Sequence, residues 1–215
     1  MDVARHGDKN IQLACGLKER RMRFKELERN DLSDDQRRII DEIREGPRGK
    51  NNPSKDRSLP RGLFGVMIRA PGLADTAQKV GAYLRYGSSL NMRISEFAII
   101  ITARYWNSEP VWNAHCSLAL QAGLAQQTAE DLSRGREPSG MQKDEAVAWR
   151  YCRELHDTKA VSDDTFKAAL DEFGEQGVVD LTGVAGYYTL ASMMQNIAAF
   201  KPAPGVPVPL YPLNK

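Results

Sequence analysis

Thiols, histidines and long apolar runs are all scarce in this sequence of 215 residues. The three cysteines, Cys15, Cys116 and Cys152, are far apart, and none belongs to a CxxC pair. Neither a disulfide framework nor a zinc ribbon is indicated, so we predict no metal site. Unpaired thiols are typical of a reducing compartment, which makes the cytoplasm the expected location.

Membrane and nucleic-acid partners are also unexpected. The longest apolar run, FAIII from Phe97, is far shorter than the roughly 20 residues that span a bilayer. The first ten residues are polar and contain no signal-peptide core. The formal net charge is only +2, and the basic segment 18–29, KERRMRFKELER, is interleaved with glutamate. That mixture is typical of a solvated helix face rather than of a phosphate-binding patch.

Composition predicts one globular domain with an attached arm. Hydrophobic residues make up 41% of the chain and charged residues 27%, which is a globular balance. The segment GPRGKNNPSKDRSLPRG has no periodicity and predicts a loop that separates an N-terminal arm, residues 1–62, from a body, residues 63–200. The proline-rich tail, residues 201–215, is expected to be extended and to lie on the same protein or on a neighbouring subunit.

Apolar residues recur at helical spacing through most of the chain, so we predict an all-α helical bundle. In the arm we expect a helix over 10–29 and a second one that Ser33 opens with capping-box spacing to Gln36. The run FAIIITA could be a buried strand by composition, but its length without a turn signal favours a helix. The body helices are predicted at 63–70, 73–86, 93–106, 110–122, 125–134, 142–157, 163–173 and 176–200.

One histidine stands out as a candidate for proton transfer. His6 and His156 are expected at the surface, whereas His115 lies in the middle of a predicted helix among apolar residues. Glu96 begins the preceding helix and is its candidate partner, because a buried carboxylate must be paired. The alternative is that His115 is a core histidine and that Glu96 forms a structural salt bridge, for example with Arg93 or Arg69.

The segment 89–124 resembles the core of the carboxymuconolactone decarboxylase family. It reads SLNMRISEFAIIITARYWNSEPVWNAHCSLALQAGL, and it is similar to the family pattern Leu-x-x-Arg-x-x-Glu, an apolar helix, Trp-x-x-His and Ala-x-x-Ala-Gly-Leu. Residues 173–196 look like the family's closing helix, so the resemblance covers about residues 63–200. The matching residues are Arg93, Glu96, Trp112, His115, Ala119, Ala122, Gly123 and Leu124.

This resemblance implies the helical fold of the carboxymuconolactone decarboxylase and alkylhydroperoxidase-like type and a homo-oligomer, a trimer or a hexamer. One branch of the family decarboxylates a carboxylated muconolactone. The other reduces peroxides with two cysteines placed seven and four residues before the histidine. Here those positions hold Ser108 and Val111, so the dithiol is absent. Val111 also replaces the acid that usually precedes the tryptophan in the decarboxylase branch.

The sequence therefore favours a lyase-like enzyme without a cofactor, acting on a small carboxylated or lactone substrate. In this hypothesis His115 donates the proton and Glu96 holds its tautomer. Arg93 or Arg104 would bind the substrate carboxylate, although either could instead form a salt bridge, and Trp112 would line the pocket. The alternatives are a peroxidase-like redox protein and a non-catalytic oligomeric binding protein that retains the fold.

Overall fold

The computed structural model describes residues 22–50, 61–201 and 205–213. In these ranges the chain forms nine α-helices and no strand, which confirms the predicted all-α class. No helix in them is long and apolar enough to cross a membrane. The helices are α1 (Asp34–Glu45), α2 (Pro47–Lys50), α3 (Gly62–Met67), α4 (Pro71–Tyr86), α5 (Met92–Tyr105), α6 (Glu109–Gln121), α7 (Gln126–Ser133), α8 (Lys143–Thr158) and α9 (Asp163–Ala198).

Helix α5 is the centre of the core. Every residue from Ile94 to Arg104 is buried, so the helical interpretation of FAIIITA is confirmed. The side chain of Asn91 starts the helix by accepting a 2.9 Å hydrogen bond from the backbone N–H of Ile94. Helices α6, α8 and α9 pack around α5. Each large apolar side chain buried in this way stabilises the fold by about 1.5–3 kcal/mol.

Two glycines mark the ends or breaks of helices in the body. Gly123 has a φ of +102° just after the last turn of α6, a conformation that glycine adopts readily at the end of a helix. Gly174 has φ 70° and ψ 175° inside α9. The backbone is therefore broken at Gly174, between the two helices predicted at 163–173 and 176–200, and the prediction of two helical segments is confirmed. The break redirects the second half of α9 along α5.

The arm differs from its predicted form. The capping box of Ser33 and Gln36 is confirmed, but residues 22–28 are not helical, and the rest of the helix predicted at 10–29 lies outside the described residues. Arg23 explains the difference, because its backbone N–H and its guanidinium donate to the carbonyls of Ala198 and Ile197. The end of α9 offers unpaired carbonyls, and this tertiary contact outweighs local helix propensity.

Helix α1 packs on α4, and its residues Ile39 and Ile40 belong to the same hydrophobic core as the body. Residues 47–50 of the predicted loop form the short helix α2, which Pro47 starts directly after Gly46, and residues 51–60 lie outside the described residues. The described part of the tail, residues 205–213, is not helical and lies on this chain. Val208 is 2% exposed, and the backbone N–H of Tyr211 donates to the Ser133 carbonyl.

Candidate active site

The antiparallel helices α5 and α6 bring Glu96 and His115 together. Residues 106–108 form the short connection, so the two helices pack side by side. At 1.5 Å per residue, Glu96 lies about 14 Å from this turn along α5 and His115 about 9 Å from it along α6. The two side chains span the offset, and His115 Nδ1 lies 2.6 Å from Glu96 Oε2. Both side chains are buried, with 10% and 3% of their surface exposed.

This hydrogen bond determines the tautomer of His115. An ionised carboxylate can only accept, so Nδ1 carries a proton and donates it to Glu96. Burial alone would raise the pKa of Glu96, but His115 and Arg85 outweigh burial and hold that pKa below its ordinary value. Among the described residues, Nε2 of His115 has no hydrogen-bond partner. It is therefore available to exchange a proton with a bound molecule.

Arg85 and Tyr188 complete the surroundings of the pair. Nη2 of Arg85, in the last turn of α4, lies 3.4 Å from Glu96 Oε1. The ring of Tyr188, on α9, meets the His115 ring edge-on, with 4.9 Å between ring centroids. Burial raises the pKa of Tyr188, so its hydroxyl stays neutral. Sequence reasoning missed both residues, because neither stands in a motif and both reach the pair only through tertiary packing.

Arg93 contacts acidic residues at the start of α8. Its Nη2 lies 2.7 Å from Asp144 Oδ2, and its Nη1 pairs with Glu145. Glu145 is 1% exposed, so this ion pair joins α5 to α8 in the protein interior. The guanidinium is thus occupied by two carboxylates of the chain itself. The structure supports the salt-bridge alternative for Arg93 and offers no support for the predicted binding of a substrate carboxylate.

Arg104 and Trp112 hold the C-terminal tail. Arg104 Nη1 donates to the carbonyls of Ser133 and Tyr211, at 2.7 and 2.6 Å. Trp112 is fully buried, and its indole N–H donates to the Val208 carbonyl at 2.7 Å. The predicted roles of these residues, an anchor for the substrate and a pocket wall, are not supported by these contacts. The aromatic ring beside His115 belongs to Tyr188 instead.

The thiols of the described residues are poorly placed for redox chemistry. Cys116 follows His115 but points into the core, and burial raises its pKa to about 11. Cys152 is also fully buried, and burial raises its pKa to about 12. Both sulfurs are protonated near neutral pH, when a nucleophilic cysteine must be a thiolate. Ser108 and Val111, at the positions of the family dithiol, are buried as well.

His156 is buried, contrary to the predicted surface position. Its Nε2 lies 3.0 Å from Thr102 Oγ1, and its ring stacks on Tyr105 with 4.7 Å between centroids. Burial lowers the pKa of His156, and the positive charge of Lys159 lowers it further. His6 lies outside the described residues. Within those residues, no group of three or more His, Cys, Asp or Glu side chains could hold a metal ion.

An open groove of about 410 Å³ runs along α8, and Met141, Trp149 and Arg153 are among its lining residues. It contains neither Glu96 nor His115. The paired histidine and glutamate are identified by their hydrogen bond, burial and charge rather than by this concavity. We therefore place the candidate active site at Glu96 and His115, among α4, α5, α6 and α9.

Replacing Glu96 by glutamine is expected to cost stability in a pH-dependent way. The pKa of Glu96 is lower in the folded protein than in the unfolded chain, so its contribution is complete above about pH 4.3, the unperturbed pKa of glutamate, and disappears as the pH falls through the folded-state value. At pH 7 we expect Glu96→Gln to lower the free energy of unfolding by about 1–3 kcal/mol. Urea unfolding at pH 7 and near pH 3 measures the difference.

The matched control is Glu42→Gln, because Glu42 pairs with Arg38 on the exposed face of α1. Such a surface pair contributes about 0.3–0.5 kcal/mol, so its removal should have little effect at either pH. The difference in the free energy of unfolding between the original protein and Glu96→Gln should become smaller at acid pH. If this difference in the free energy of unfolding were the same at pH 7 and at pH 3, the folded protein would not favour the ionised form of Glu96.

Comparison with known proteins places this geometry in a known fold. No protein-family model and no curated protein matches the sequence. A solved structure of an alkylhydroperoxidase AhpD core, from an uncharacterized peroxidase-related protein of Ralstonia eutropha JMP134, matches with a TM-score of 0.67. The match covers 85% of this chain and 92% of that chain, at 14% sequence identity. The chain has the fold of the AhpD core.

A second AhpD-like structure is a protein of unknown function from Agrobacterium tumefaciens that has been related to antioxidant defence. It matches with a TM-score of 0.58 and 14% identity, over 67% of this chain and 100% of that chain. The AhpD-like fold was expected from the family resemblance and is confirmed. At this identity the likeness concerns the fold, and it does not distinguish the decarboxylase branch from the peroxidase branch.

Proposed function

We propose that this AhpD-like protein is a cofactor-independent enzyme that transfers protons on a small carboxylated or lactone substrate. The observation that carries the proposal is the 2.6 Å hydrogen bond between buried Glu96 and His115. A histidine whose Nδ1 is held by a carboxylate presents Nε2 in one tautomer and one orientation, as a general acid or base requires. Arg85 supports the arrangement by favouring the ionised form of Glu96.

Decarboxylation of a carboxylated lactone is the reaction that this arrangement suits best. The bond between the ring carbon and the carboxylate breaks, CO₂ leaves, and the electron pair is delocalised into the conjugated lactone carbonyl. Nε2 of protonated His115 then gives its proton to the carbon, and water restores the proton. The Glu96 carboxylate stabilises the imidazolium before transfer, and the oriented ring lowers the entropic cost of the step.

A peroxidase-like function is the second candidate, because one of the two AhpD-like structures belongs to a peroxidase-related protein and the other to a protein related to antioxidant defence. The two cysteines within the described residues argue against it, and Cys15 lies outside them. Cysteine-based reduction of a peroxide needs a thiolate and a resolving thiol, whereas Cys116 and Cys152 are buried and protonated. Proton transfer by His115 needs neither group.

A homo-oligomer, trimeric or hexameric, remains a prediction of the family resemblance. Val179, Met193 and Ile197 on α9 are exposed apolar side chains, and Val179 has 70% of its surface exposed. Exposed apolar groups on one helix supply surface that such an assembly would bury. A non-catalytic oligomeric binding protein would use the same surface and would make no use of the Nε2 atom of His115.

The reaction can be tested with a panel of carboxylated lactones and of organic hydroperoxides. We expect the protein to release CO₂ from at least one lactone without any added cofactor, and to reduce no hydroperoxide when a dithiol reductant is present. Cys116→Ser should leave the rate of CO₂ release unchanged. Reduction of hydroperoxide that disappears in Cys116→Ser would support the redox candidate instead. Inactivity toward the entire panel would favour the non-catalytic one.

A further inference from the structure

Polar atoms without partners lie close to the Glu96–His115 pair. Within the described residues, Nε and Nη2 of Arg48, Nε of Arg85 and the hydroxyl of Tyr187 are buried and form no hydrogen bond. Tyr187 as a whole is 7% exposed. A buried donor without a partner costs about 1–3 kcal/mol, and most are satisfied in folded proteins. Several unpaired donors in one part of the fold are what a site for an acceptor group would present.

Gly81 shows that Arg48 and Tyr187 meet at one point. A Cβ atom on Gly81 would lie 2.3 Å from the Tyr187 hydroxyl and 2.5 Å from Arg48 Nη2. Both polar atoms therefore lie against this glycine on α4, in volume that a side chain at position 81 would occupy. Burial raises the pKa of Tyr187. The nearby positive charges of Arg48 and Arg85 both act in the opposite direction and lower this pKa.

Aromatic rings connect this space to the proposed catalytic histidine. The rings of Tyr187 and Tyr188 meet edge-on with 5.4 Å between centroids, and Tyr188 in turn contacts His115. The Arg48 guanidinium lies over the Phe64 ring at 5.0 Å, which orients its plane. The unpaired donors and the proton-transfer pair thus belong to one continuous cluster built from α2, α4, α5, α6 and α9.

The charges of this cluster do not balance. Arg48 and Arg85 each carry a positive charge, and within the described residues Glu96 is the carboxylate that contacts His115 and Arg85. Such a surplus of positive charge on partly buried side chains is unfavourable unless an anion accompanies it. Arg93, by contrast, faces two carboxylates and needs no further partner. The surplus and the unpaired donors occur at the same place.

We propose that Arg48, Arg85 and Tyr187 form a binding subsite for a carboxylate group of a small molecule. Nε and Nη2 lie on one edge of the Arg48 guanidinium, and such an edge donates two parallel hydrogen bonds to the two oxygens of a carboxylate. The Tyr187 hydroxyl and Nε of Arg85 supply further donors. The subsite rests on the proposed function in one respect, since it would hold the carboxylated substrate beside His115.

Direct binding measurements test the subsite without any turnover. Isothermal titration calorimetry compares acetate, benzoate and inorganic phosphate with benzamide, which is a neutral analogue of benzoate. We expect benzoate to bind more tightly than benzamide, and Arg48→Gln to weaken benzoate binding about 10–100-fold while leaving benzamide binding unchanged. The matched control is Arg44→Gln, because Arg44 is an exposed arginine one turn earlier that pairs with Asp41.

Tyr187→Phe distinguishes binding from a structural role. The hydroxyl has no partner in the free protein, so its removal should leave the melting temperature unchanged or raise it, and should weaken benzoate binding several-fold. A structural hydroxyl would give the opposite pattern, with a lower melting temperature and unaltered binding. This variant also keeps the test decisive if Arg48→Gln does not fold.

The outcomes separate this subsite from the proposed function. His115→Gln should still bind benzoate, so loss of turnover with retained binding would count only against catalysis. The subsite is refuted if no carboxylate binds, if phosphate binds and the carboxylates do not, or if benzamide binds as well as benzoate. Unchanged benzoate binding in both Arg48→Gln and Tyr187→Phe would refute it equally.

Discussion

Replacing His115 by glutamine is expected to lower the rate of CO₂ release by about 10²–10⁴-fold, the usual contribution of a general acid or base. Glutamine keeps an amide near Glu96, so the buried carboxylate retains a hydrogen-bond donor and the fold should persist. It cannot take up and release a proton near neutral pH. Steady-state kinetics on the best lactone of the panel measures the rate, and circular dichroism verifies the helical content.

His156→Gln is the matched control for this experiment. His156 is equally buried, but its ring makes its hydrogen bond to the hydroxyl of Thr102 and not to a carboxylate. Its replacement should alter thermal stability and leave kcat close to that of the original protein. If His115→Gln retained full turnover, or if both variants lost it to the same extent, proton transfer by His115 would be excluded.

Trp112→Ala is expected to cause the largest loss of stability, about 3–5 kcal/mol in the free energy of unfolding. The ring is fully buried in the core, and its removal leaves a cavity that the surrounding helices cannot fill. The Val208 carbonyl also loses its donor, which weakens the attachment of the tail to the body. Each kcal/mol corresponds to about 2–4 °C in melting temperature for a chain of this size. Urea and thermal unfolding measure both quantities.

Trp112→Phe separates packing from hydrogen bonding. Phenylalanine fills much of the same volume but has no N–H, so the remaining loss should be about 1–3 kcal/mol. Trp149→Ala is the control, because Trp149 is only half-buried beside the open groove and should cost less. If Trp112 were a pocket wall for the substrate, Trp112→Phe would instead change KM and leave the unfolding curve in place.

The sequence was sufficient for much of the helical framework, because the signals are local. Apolar periodicity and the capping-box spacing of Ser33 and Gln36 indicate where helices lie and where α1 begins. The sequence also predicted only a short connection between the helices at 93–106 and 110–122, and this made Glu96 and His115 candidate partners. Local signals failed at residues 22–28, where the contacts of Arg23 with the end of α9 decide the conformation.

The environment of the pair could not be predicted in the same way. Arg93 and Arg104 stand in or near the recognisable motif, yet their guanidinium groups are paired with α8 and with the tail. The indole N–H of Trp112 likewise donates its hydrogen bond to the tail, at the Val208 carbonyl. Sequence pattern indicates which residues are polar or aromatic, but it does not determine which distant segment each of them contacts.

The sequence by itself determined the all-helical class and the AhpD-like fold, and it identified the glutamate and histidine that face each other across two adjacent helices. Only the tertiary structure decided that Arg85 and Tyr188 complete this pair and that Arg48 and Tyr187 place unpaired donors beside it. The physical reason is the distance along the chain. Caps, turns and periodicity act within a few residues, whereas these contacts arise when α2, α4 and α9 pack together around the buried helix α5.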